Sequence, residues 1–247
     1  MAAGNAYPRT MINRRNTLLA LGSGATLFSG WALLGGGSAA AEQAIVLPPP
    51  AFDPASAAAK ETAVLAGGCF WGVQAVFQHT RGVLNAVSGY AGGDPQKANY
   101  QSVTSGRSGH AEAVEVSFDP TQVSYGRLLQ IFFSVAHDPT QLNRQGPDSG
   151  PQYRSALFHS SPAQQQVAER YIAQLDAARA YPAKIVTQLV PLQAFFAAEA
   201  YHQDYATRNP HSPYIARFDA PKVANLQRLF AANYRAAPVL VGTQKAG

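Results

Sequence analysis

The single cysteine of the chain lies among residues that favour reactivity. Cys69 is the only cysteine in 247 residues, and it lies in the sequence GGCFWG at residues 67–72. A short apolar segment precedes it and a helical pattern follows, so we expect Cys69 at a strand-to-helix junction. Helix N-termini stabilise a thiolate, which predicts a nucleophile whose pKa lies below about 8.5, the value of a free cysteine. The alternative is an inert, buried cysteine that packs as a small hydrophobic residue.

A second group of candidate residues surrounds Glu112, which lies in GHAEA at residues 109–113, downstream of Tyr100. The alternation of residues 111–118 places Glu112 on the apolar face of a strand. Burial penalises the charged carboxylate, so we expect a raised pKa and a protonated acid that can donate a proton. The alternative is a strand-end glutamate paired with Arg107.

A third group contains Asp148 and the sequence QYRS at residues 152–155. Tyr153 either offers its hydroxyl to a ligand or is a core aromatic whose hydroxyl is satisfied by the protein. From these residues alone the core interpretation is favoured.

Motifs for several other chemistries are missing from the sequence. One cysteine, six scattered histidines and the lack of an HExxH sequence predict no metal site. Outside residues 1–41, which are assigned to an export signal below, the chain has no Walker loop and no GxGxxG sequence, which excludes the usual nucleotide sites. A cysteine hydrolase or acyltransferase stays open, because a Cys–His pair meets only in the fold. A non-catalytic exported module that binds through Phe70, Trp71 and the tyrosines also stays open.

Taken together, five segments resemble the A-type peptide methionine sulfoxide reductases. They are GCFWG at residues 68–72, GYAGG at 89–93, GHAEA at 109–113, QYRS at 152–155 and AEAYHQDY at 198–205. They occur in the same order as in members of that family, across roughly residues 62–230. The five together are therefore far more specific than any one segment.

The resemblance implies a role for nine residues. It makes Cys69 the nucleophile and Glu112 the acid, Tyr100 and Tyr153 the groups that bind the sulfoxide oxygen, Phe70 and Trp71 the pocket aromatics, Asp148 a supporting acid, and His202 and Tyr205 pocket-lining residues. Two positions depart from the family. Pro147 replaces an asparagine before Asp148, and Ile215 follows Tyr214 where relatives often carry a resolving cysteine.

The implied activity is the thiol-dependent reduction of methionine S-sulfoxide, in proteins and free, through a sulfenic acid on Cys69. Its purpose is protein repair after oxidative damage. No bound cofactor or metal is implied. A one-cysteine enzyme needs an external thiol, so the expected partners are oxidised proteins and a reductant such as thioredoxin, glutaredoxin or a glutathione-like thiol. We expect a monomer.

Composition excludes several other classes of protein. The chain is 47% hydrophobic and 13% charged, which excludes a disordered or collagen-like chain. The net charge of +5 is partly due to three arginines among residues 1–41, a segment without acids. In the rest of the chain 16 basic residues face 14 acidic ones, so we expect no nucleic-acid partner.

Residues 1–41 read as an export signal of the twin-arginine type. Arg14 and Arg15 precede a glycine-softened apolar stretch at residues 17–34, and Ser38-Ala39-Ala40-Ala41 resembles a cleavage site before Glu42. The general secretory route is the alternative for export. We expect an exported, periplasmic protein cleaved near Ala41–Glu42, with an uncleaved membrane anchor as the other interpretation.

The order of predicted elements indicates the fold. Strands are expected at residues 62–66, 83–88, 111–118, 153–159 and 185–190, and helices at 70–78, 124–136, 161–180, 197–208 and 222–234. The β-α-β-β-α-β order predicts an α+β domain with a ferredoxin-like split βαβ core, additional helices and an extended C-terminal region. We assign residues 42–61 to a Pro/Ala-rich linker, 62–234 to the catalytic domain and 235–247 to a C-terminal tail.

Overall fold

The computed structural model describes residues 43–242 of the chain. Its strands are β1 (Glu61–Gly67), β2 (Val83–Ala91), β3 (Ala111–Phe118), β4 (Arg144–Gln145), β5 (Asp148–Ser149), β6 (Ser155–His159), β7 (Gln188–Pro191) and β8 (Phe195–Ala197). Its α-helices are α1 (Phe70–Gln78), α2 (Tyr100–Thr104), α3 (Tyr125–Ile131), α4 (Pro162–Ala177), α5 (Tyr205–Arg208) and α6 (Ala220–Leu229). The predicted export signal, its cleavage site and the end of the predicted tail lie outside the described residues. Between residues 43 and 242, none of the helices has the length and apolar character that crossing a membrane requires.

Six strands form one sheet in the order β7-β6-β1-β3-β2-β8. β6 and β7 run parallel, and the other neighbouring strands run antiparallel. The short strands β4 and β5 pair separately as a hairpin. The protein is therefore a mixed α+β fold, the class that the order of elements predicted.

Alternation along β1 explains why this strand is buried on both faces. Ala63 and Leu65 belong to the large hydrophobic cluster, which also contains Val73 of α1, whereas Val64 and Ala66 belong to a smaller cluster. Successive side chains of a strand point to opposite faces of the sheet, so the two sets bury opposite faces. β1 is thus a rigid support for the residues that follow it, the first of which lead into Cys69.

Residues 43–60 form neither helix nor strand, yet they are fixed to the domain. Leu47 is only 3% exposed. Its carbonyl accepts a 2.7 Å hydrogen bond from Gln130 of α3, and the carbonyl of Pro48 accepts a 2.8 Å bond from the Tyr171 hydroxyl of α4. The segment assigned as a linker is therefore an extended chain docked across two helices.

Residues 197–208, predicted as one helix, do not form one. Residue 197 ends β8, which pairs with β2, and only the last residues form the short helix α5. Asp204 has a φ of 57°, a left-handed conformation that interrupts a right-handed helix. The Gln203 side chain donates a 2.8 Å hydrogen bond to a carbonyl of β2. The prediction was wrong because these tertiary bonds outweigh local helix propensity.

Other elements differ from the prediction in extent. The second strand was predicted to end at residue 88, but β2 continues through Ala91, because β8 pairs with its last three residues. The helix predicted at residues 124–136 changes into a π-helical turn at Phe132–Ala136. The loop predicted at residues 137–150 contains the β4–β5 hairpin, which brings residues from this loop next to Cys69.

Candidate functional site

Cys69 lies where β1 turns into α1, at the predicted strand-to-helix junction. It is the N-cap residue of α1 and is 8% exposed. Gly68 has a φ of 89°, in the left-handed region that favours glycine. A Cβ at Gly68 would also lie 2.5 Å from the Gln145 side chain. Both constraints require glycine before the cysteine.

The thiol of Cys69 does not have the low pKa that its position at a helix N-terminus predicts. Burial raises its pKa well above the ordinary value, and the Glu112 and Asp219 carboxyl groups raise it further, while the backbone N–H of Trp71 opposes them. The expectation of a depressed pKa was wrong, because desolvation and nearby acids outweigh the helix N-terminus. The thiol form of Cys69 is therefore favoured at neutral pH.

Glu112 is buried on β3 at 2% exposure, and its Oε2 accepts a 3.0 Å hydrogen bond from the backbone N–H of Phe70. Burial raises the pKa of Glu112 to about 8, although the Phe70 N–H opposes the shift and Asp148 adds to it. The prediction of a raised pKa is confirmed. Arg107 is exposed, and Glu112 bonds to the start of α1 instead. A protonated carboxyl group therefore lies against the turn that carries the thiol.

Two tyrosines share these surroundings. Tyr100 is the first residue of α2, and Tyr153 ends the turn before β6. Burial and the charge of Glu112 raise the pKa of both phenols, so both are protonated at neutral pH. Within residues 43–242 neither hydroxyl is bonded to another protein group. Both are free to donate to the oxygen of a ligand.

Aromatic rings gather around the first residues of α1. The ring of Phe70 lies 5.1 Å, and that of Tyr100 lies 4.4 Å, from the ring of His202. Trp71 stacks on Tyr205 with ring centroids 3.9 Å apart. Burial lowers the pKa of His202, so its ring is neutral and adds to the apolar wall. The result is a cluster of aromatic rings that begins directly after the nucleophile, at Phe70 and Trp71.

Asp148 connects to a tyrosine that sequence reasoning missed. Its Oδ2 accepts a hydrogen bond from the hydroxyl of Tyr214, whose ring lies edge-on to Trp71 at 5.9 Å. Asp148, Tyr214 and Cys69 line one small cleft. The sequence signal was weak: Tyr214 stood out only as the neighbour of Ile215, where relatives often carry a second cysteine.

Glu199 is a second residue that the sequence did not single out, although it lies within one of the five segments. One carboxylate oxygen accepts a 2.8 Å hydrogen bond from the Tyr90 hydroxyl, and the other accepts a 2.9 Å bond from the backbone N–H of Tyr100. Tyr90 packs against Phe70 at a centroid distance of 6.0 Å. Glu199 therefore ties the start of α2, and with it Tyr100, to β2.

The nine residues predicted from the sequence form one connected group around the start of α1. The group combines a thiol, a protonated carboxyl, two phenols and a cluster of aromatic rings. In the described part of the chain no hydrogen bond joins Cys69 to a histidine, as a cysteine hydrolase needs. Over the same residues no cluster of three or more histidine, cysteine or acidic side chains could hold a metal ion. The arrangement suits a reduction that removes a polar oxygen from an otherwise apolar group.

Comparison with known proteins agrees with this chemistry. The family model for peptide methionine sulfoxide reductase matches residues 61–234. A peptide methionine sulfoxide reductase, MsrA 2, of Mesorhizobium japonicum is 58% identical over 189 residues, covering 76% of this chain and 97% of that protein. The MsrA 2 of Synechocystis is 49% identical over 186 residues, covering 74% of this chain and 87% of that protein.

Two solved structures share the fold. Mxr1 from Saccharomyces cerevisiae in reduced form aligns with a TM-score of 0.56 at 32% identity, over 66% of this chain and 92% of that one. Methionine sulfoxide reductase A of Corynebacterium diphtheriae aligns with a TM-score of 0.54 at 34% identity, over 70% of this chain and 88% of that one.

Proposed function

Since the chain belongs to the peptide methionine sulfoxide reductase family, we propose that the group around Cys69 is its active site. The protein is an oxidoreductase that returns methionine sulfoxide to methionine and so repairs oxidised proteins. We infer that it acts on the S epimer, in proteins and as the free amino acid. The observation that carries the assignment is the hydrogen bond from Phe70 to Glu112, which places a protonated acid beside the nucleophile.

The substrate is proposed to bind with its methyl group against the cluster of aromatic rings. Phe70 and Trp71 directly follow Cys69, so a methyl held between them and the neutral His202 lies beside the thiol. Tyr205 completes the wall through its stacking on Trp71. An apolar wall next to a set of hydrogen-bond donors matches a sulfoxide, which has a methyl and an oxygen on the same sulfur.

The oxygen is proposed to accept hydrogen bonds from Glu112, Tyr100 and Tyr153, whose protons are all retained at neutral pH. Asp148 supports this side of the site through its bond to Tyr214. Donors that are fixed before the reaction stabilise the charge that develops on the oxygen without reorganising.

In the reaction, the sulfur of Cys69 attacks the sulfoxide sulfur while Glu112 protonates the sulfoxide oxygen. The substrate sulfur–oxygen bond and the new sulfur–sulfur bond then break as the hydroxyl group moves from the methionine sulfur to the sulfur of Cys69, so methionine leaves and Cys69 becomes a sulfenic acid. The proton lost by the thiol replaces the one that Glu112 gave. Two electrons have moved from the cysteine sulfur to the methionine sulfur, so thiol plus sulfoxide becomes sulfenic acid plus thioether.

Regeneration is proposed to use an external thiol, because Cys69 is the only cysteine. The first thiol attacks the sulfenic sulfur, releases water and forms a mixed disulfide; a second thiol then displaces Cys69. A dithiol protein of the thioredoxin type supplies both thiols, whereas glutaredoxin or a glutathione-like monothiol supplies them in separate steps. Since every group in this cycle except the reductant comes from one chain, we infer a monomer.

We also infer that the four central strands form a ferredoxin-like core. The order β6-β1-β3-β2, antiparallel throughout, supports this interpretation, as does the α1 crossover between β1 and β2. The catalytic domain is proposed to extend over residues 62–234.

Export to the periplasm is a further proposal, supported by the paired arginines and the cleavage pattern before Glu42. Edman sequencing of the protein purified from a periplasmic fraction should begin at Glu42. Recovery of the intact chain in the membrane fraction would favour the anchor instead.

The activity is tested with peptides that contain either the S or the R sulfoxide, treated with the protein and excess dithiothreitol. We expect mass spectrometry to show the loss of one oxygen from the S peptide, and none with Cys69→Ser. Cleavage or acylation of the peptide would indicate the hydrolase, and binding without a change in mass would indicate the binding module.

A further inference from the structure

A buried ion pair lies against the first turn of α1. Lys222 Nζ and Asp219 Oδ1 are 3.5 Å apart, and the two residues are 7% and 0% exposed. Removing two charges from water carries a penalty that their mutual attraction rarely exceeds, so a buried pair is weak evidence of a purely stabilising role. None of the roles assigned above uses either residue.

The glycine at the end of the GCFWG sequence makes room for this pair. A Cβ at Gly72 would lie 2.1 Å from Asp219 Oδ1 and 3.1 Å from Lys222 Nζ. Gly72 is three residues after Cys69, and residues three apart on a helix are neighbours on its surface. The ammonium group is therefore within one helical turn of the nucleophile.

The same proximity is seen in the cleft beside the thiol. Lys222 lines this cleft together with Cys69, Asp148 and Tyr214. Within the described part of the chain, it is the only basic side chain among the residues that line the cleft. The charge of Lys222 lowers the pKa of Asp148, so it acts on groups at the site.

The other titratable groups around Cys69 do not favour a thiolate. They are Glu112 from β3, Asp148 from β5, Asp219 from a second π-helical turn at Ile215–Asp219, and the phenols of Tyr100, Tyr153 and Tyr214. The charge of Lys222 also reaches His137, which is buried and neutral with a pKa of about 3. Lys222 is thus the cation in a neighbourhood of acids and neutral groups.

We propose that the Lys222 ammonium, held by Asp219 against the first turn of α1, stabilises the thiolate of Cys69 and so sets the reactivity of the nucleophile. Asp219 is the positioning residue of the pair. Its carboxylate holds Lys222 in place, and its own charge limits how far the thiol is activated. The role rests on the proposed function of Cys69, but it concerns the thiol itself.

Alkylation by iodoacetamide tests this proposal without any sulfoxide, because Cys69 is the only cysteine and the reagent reacts with the thiolate. At pH 7, Lys222→Met should slow alkylation about tenfold, which corresponds to a rise of about one unit in the pKa of Cys69. Asp219→Asn, which keeps the shape and removes the acid, should speed alkylation. Lys222→Arg should stay within about threefold of the wild type.

The opposite changes in alkylation rate expected for Lys222→Met and Asp219→Asn distinguish this role from a structural one. If the pair only holds α6 against α1, both variants should lower the thermal midpoint and leave the alkylation rate unchanged, or shift it in the same direction. Either result overturns the proposal. Arg208→Met is the control, because it removes an ion pair with Asp204, which bonds to Gln78 at the far end of α1, and it should leave alkylation unchanged.

Two further results keep the test decisive. If Lys222→Met does not fold, the double variant, which buries no charge, isolates the effect of Lys222: it should alkylate within about threefold of the wild type and more slowly than Asp219→Asn alone, and a rate equal to that of Asp219→Asn overturns the proposal. If alkylation responds as predicted but the protein removes no oxygen from the S sulfoxide, then the proposed activity fails and the proposal about the thiol stands. If the protein removes oxygen from the S sulfoxide but alkylation does not respond as predicted, only the proposed role of Lys222 is contradicted.

Discussion

The backbone N–H of Phe70 donates a 3.0 Å hydrogen bond to Oε2 of Glu112, although 42 residues separate the two in sequence. This bond ties β3 to the first turn of α1, so the proposed acid and nucleophile are held by two regular elements rather than by loops. Because Phe70 directly follows Cys69, the acid cannot move away from the thiol without losing this partner.

Replacing Glu112 with glutamine should slow sulfoxide reduction by about 10²–10⁴-fold, the usual contribution of a general acid. Glutamine can still accept the bond from Phe70 but does not supply a proton. Single-turnover rates with an S-sulfoxide peptide measure the effect. Glu115→Gln, on the same strand, is the control and should leave the rate unchanged. An unchanged rate for Glu112→Gln would assign the proton to the tyrosines or to solvent.

The raised pKa of Glu112 also predicts how stability depends on pH. Its pKa is about 8 in the folded protein, against an ordinary value of 4.5. Between these values the folded state holds a proton that the unfolded state has lost, so the free energy of unfolding should fall as pH rises. Urea denaturation between pH 5 and 8, about the range of the shift, should show this slope in the wild type. Glu112→Gln should flatten it, and an equally steep slope in the variant would contradict the burial argument.

Glu199 should act through the position of Tyr100. Glu199→Ala removes both hydrogen bonds that fix the start of α2, and kcat should fall by about tenfold to a hundredfold, the value of a hydrogen bond to a charged group. Glu199→Gln retains an acceptor for Tyr100 and should recover most of the rate. Glu169→Ala, an exposed glutamate of α4, is the control. Equal losses in the alanine and glutamine variants would show that the charge of Glu199 matters rather than the position of Tyr100.

The docked segment of residues 43–60 should contribute to stability through Leu47. Leu47→Ala removes a side chain that is 3% exposed, and the free energy of unfolding should fall by about 2–5 kcal/mol. Val46 is the matched neighbour, 76% exposed, and Val46→Ala should change stability by no more than about 0.5 kcal/mol. If the two variants unfold alike in urea, the segment is not docked in solution.

Local patterns predicted the parts of the fold that local forces determine. The alternation of β3 and the helical pattern of α1 were located to the residue, because both elements bury the face that their sequence pattern indicates. Residues 197–208 were misassigned, because Gln203 bonds to β2 and the left-handed Asp204 bonds to Gln78 of α1, both more than a hundred residues earlier.

At the candidate site, too, local features were predicted and long-range contacts were not. The segments that carry Cys69, Glu112 and Tyr153 were recognisable in sequence, but contacts between distant segments were not. Tyr214 meets Asp148 across 66 residues, and Asp219 reaches Cys69 from the far end of the chain. The error in the thiol pKa has this cause, since a helix N-terminus can be read from sequence whereas burial and a distant carboxylate cannot.

A single turnover without reductant tests the central claim most directly. The reduced protein is mixed with excess peptide containing methionine S-sulfoxide, and both the peptide and a digest of the protein are analysed by mass spectrometry. The account predicts one methionine formed per protein and one added oxygen on the peptide that contains Cys69, which glutathione then converts into a glutathione adduct. Methionine formed in several turnovers, with Cys69 unmodified throughout, would contradict it.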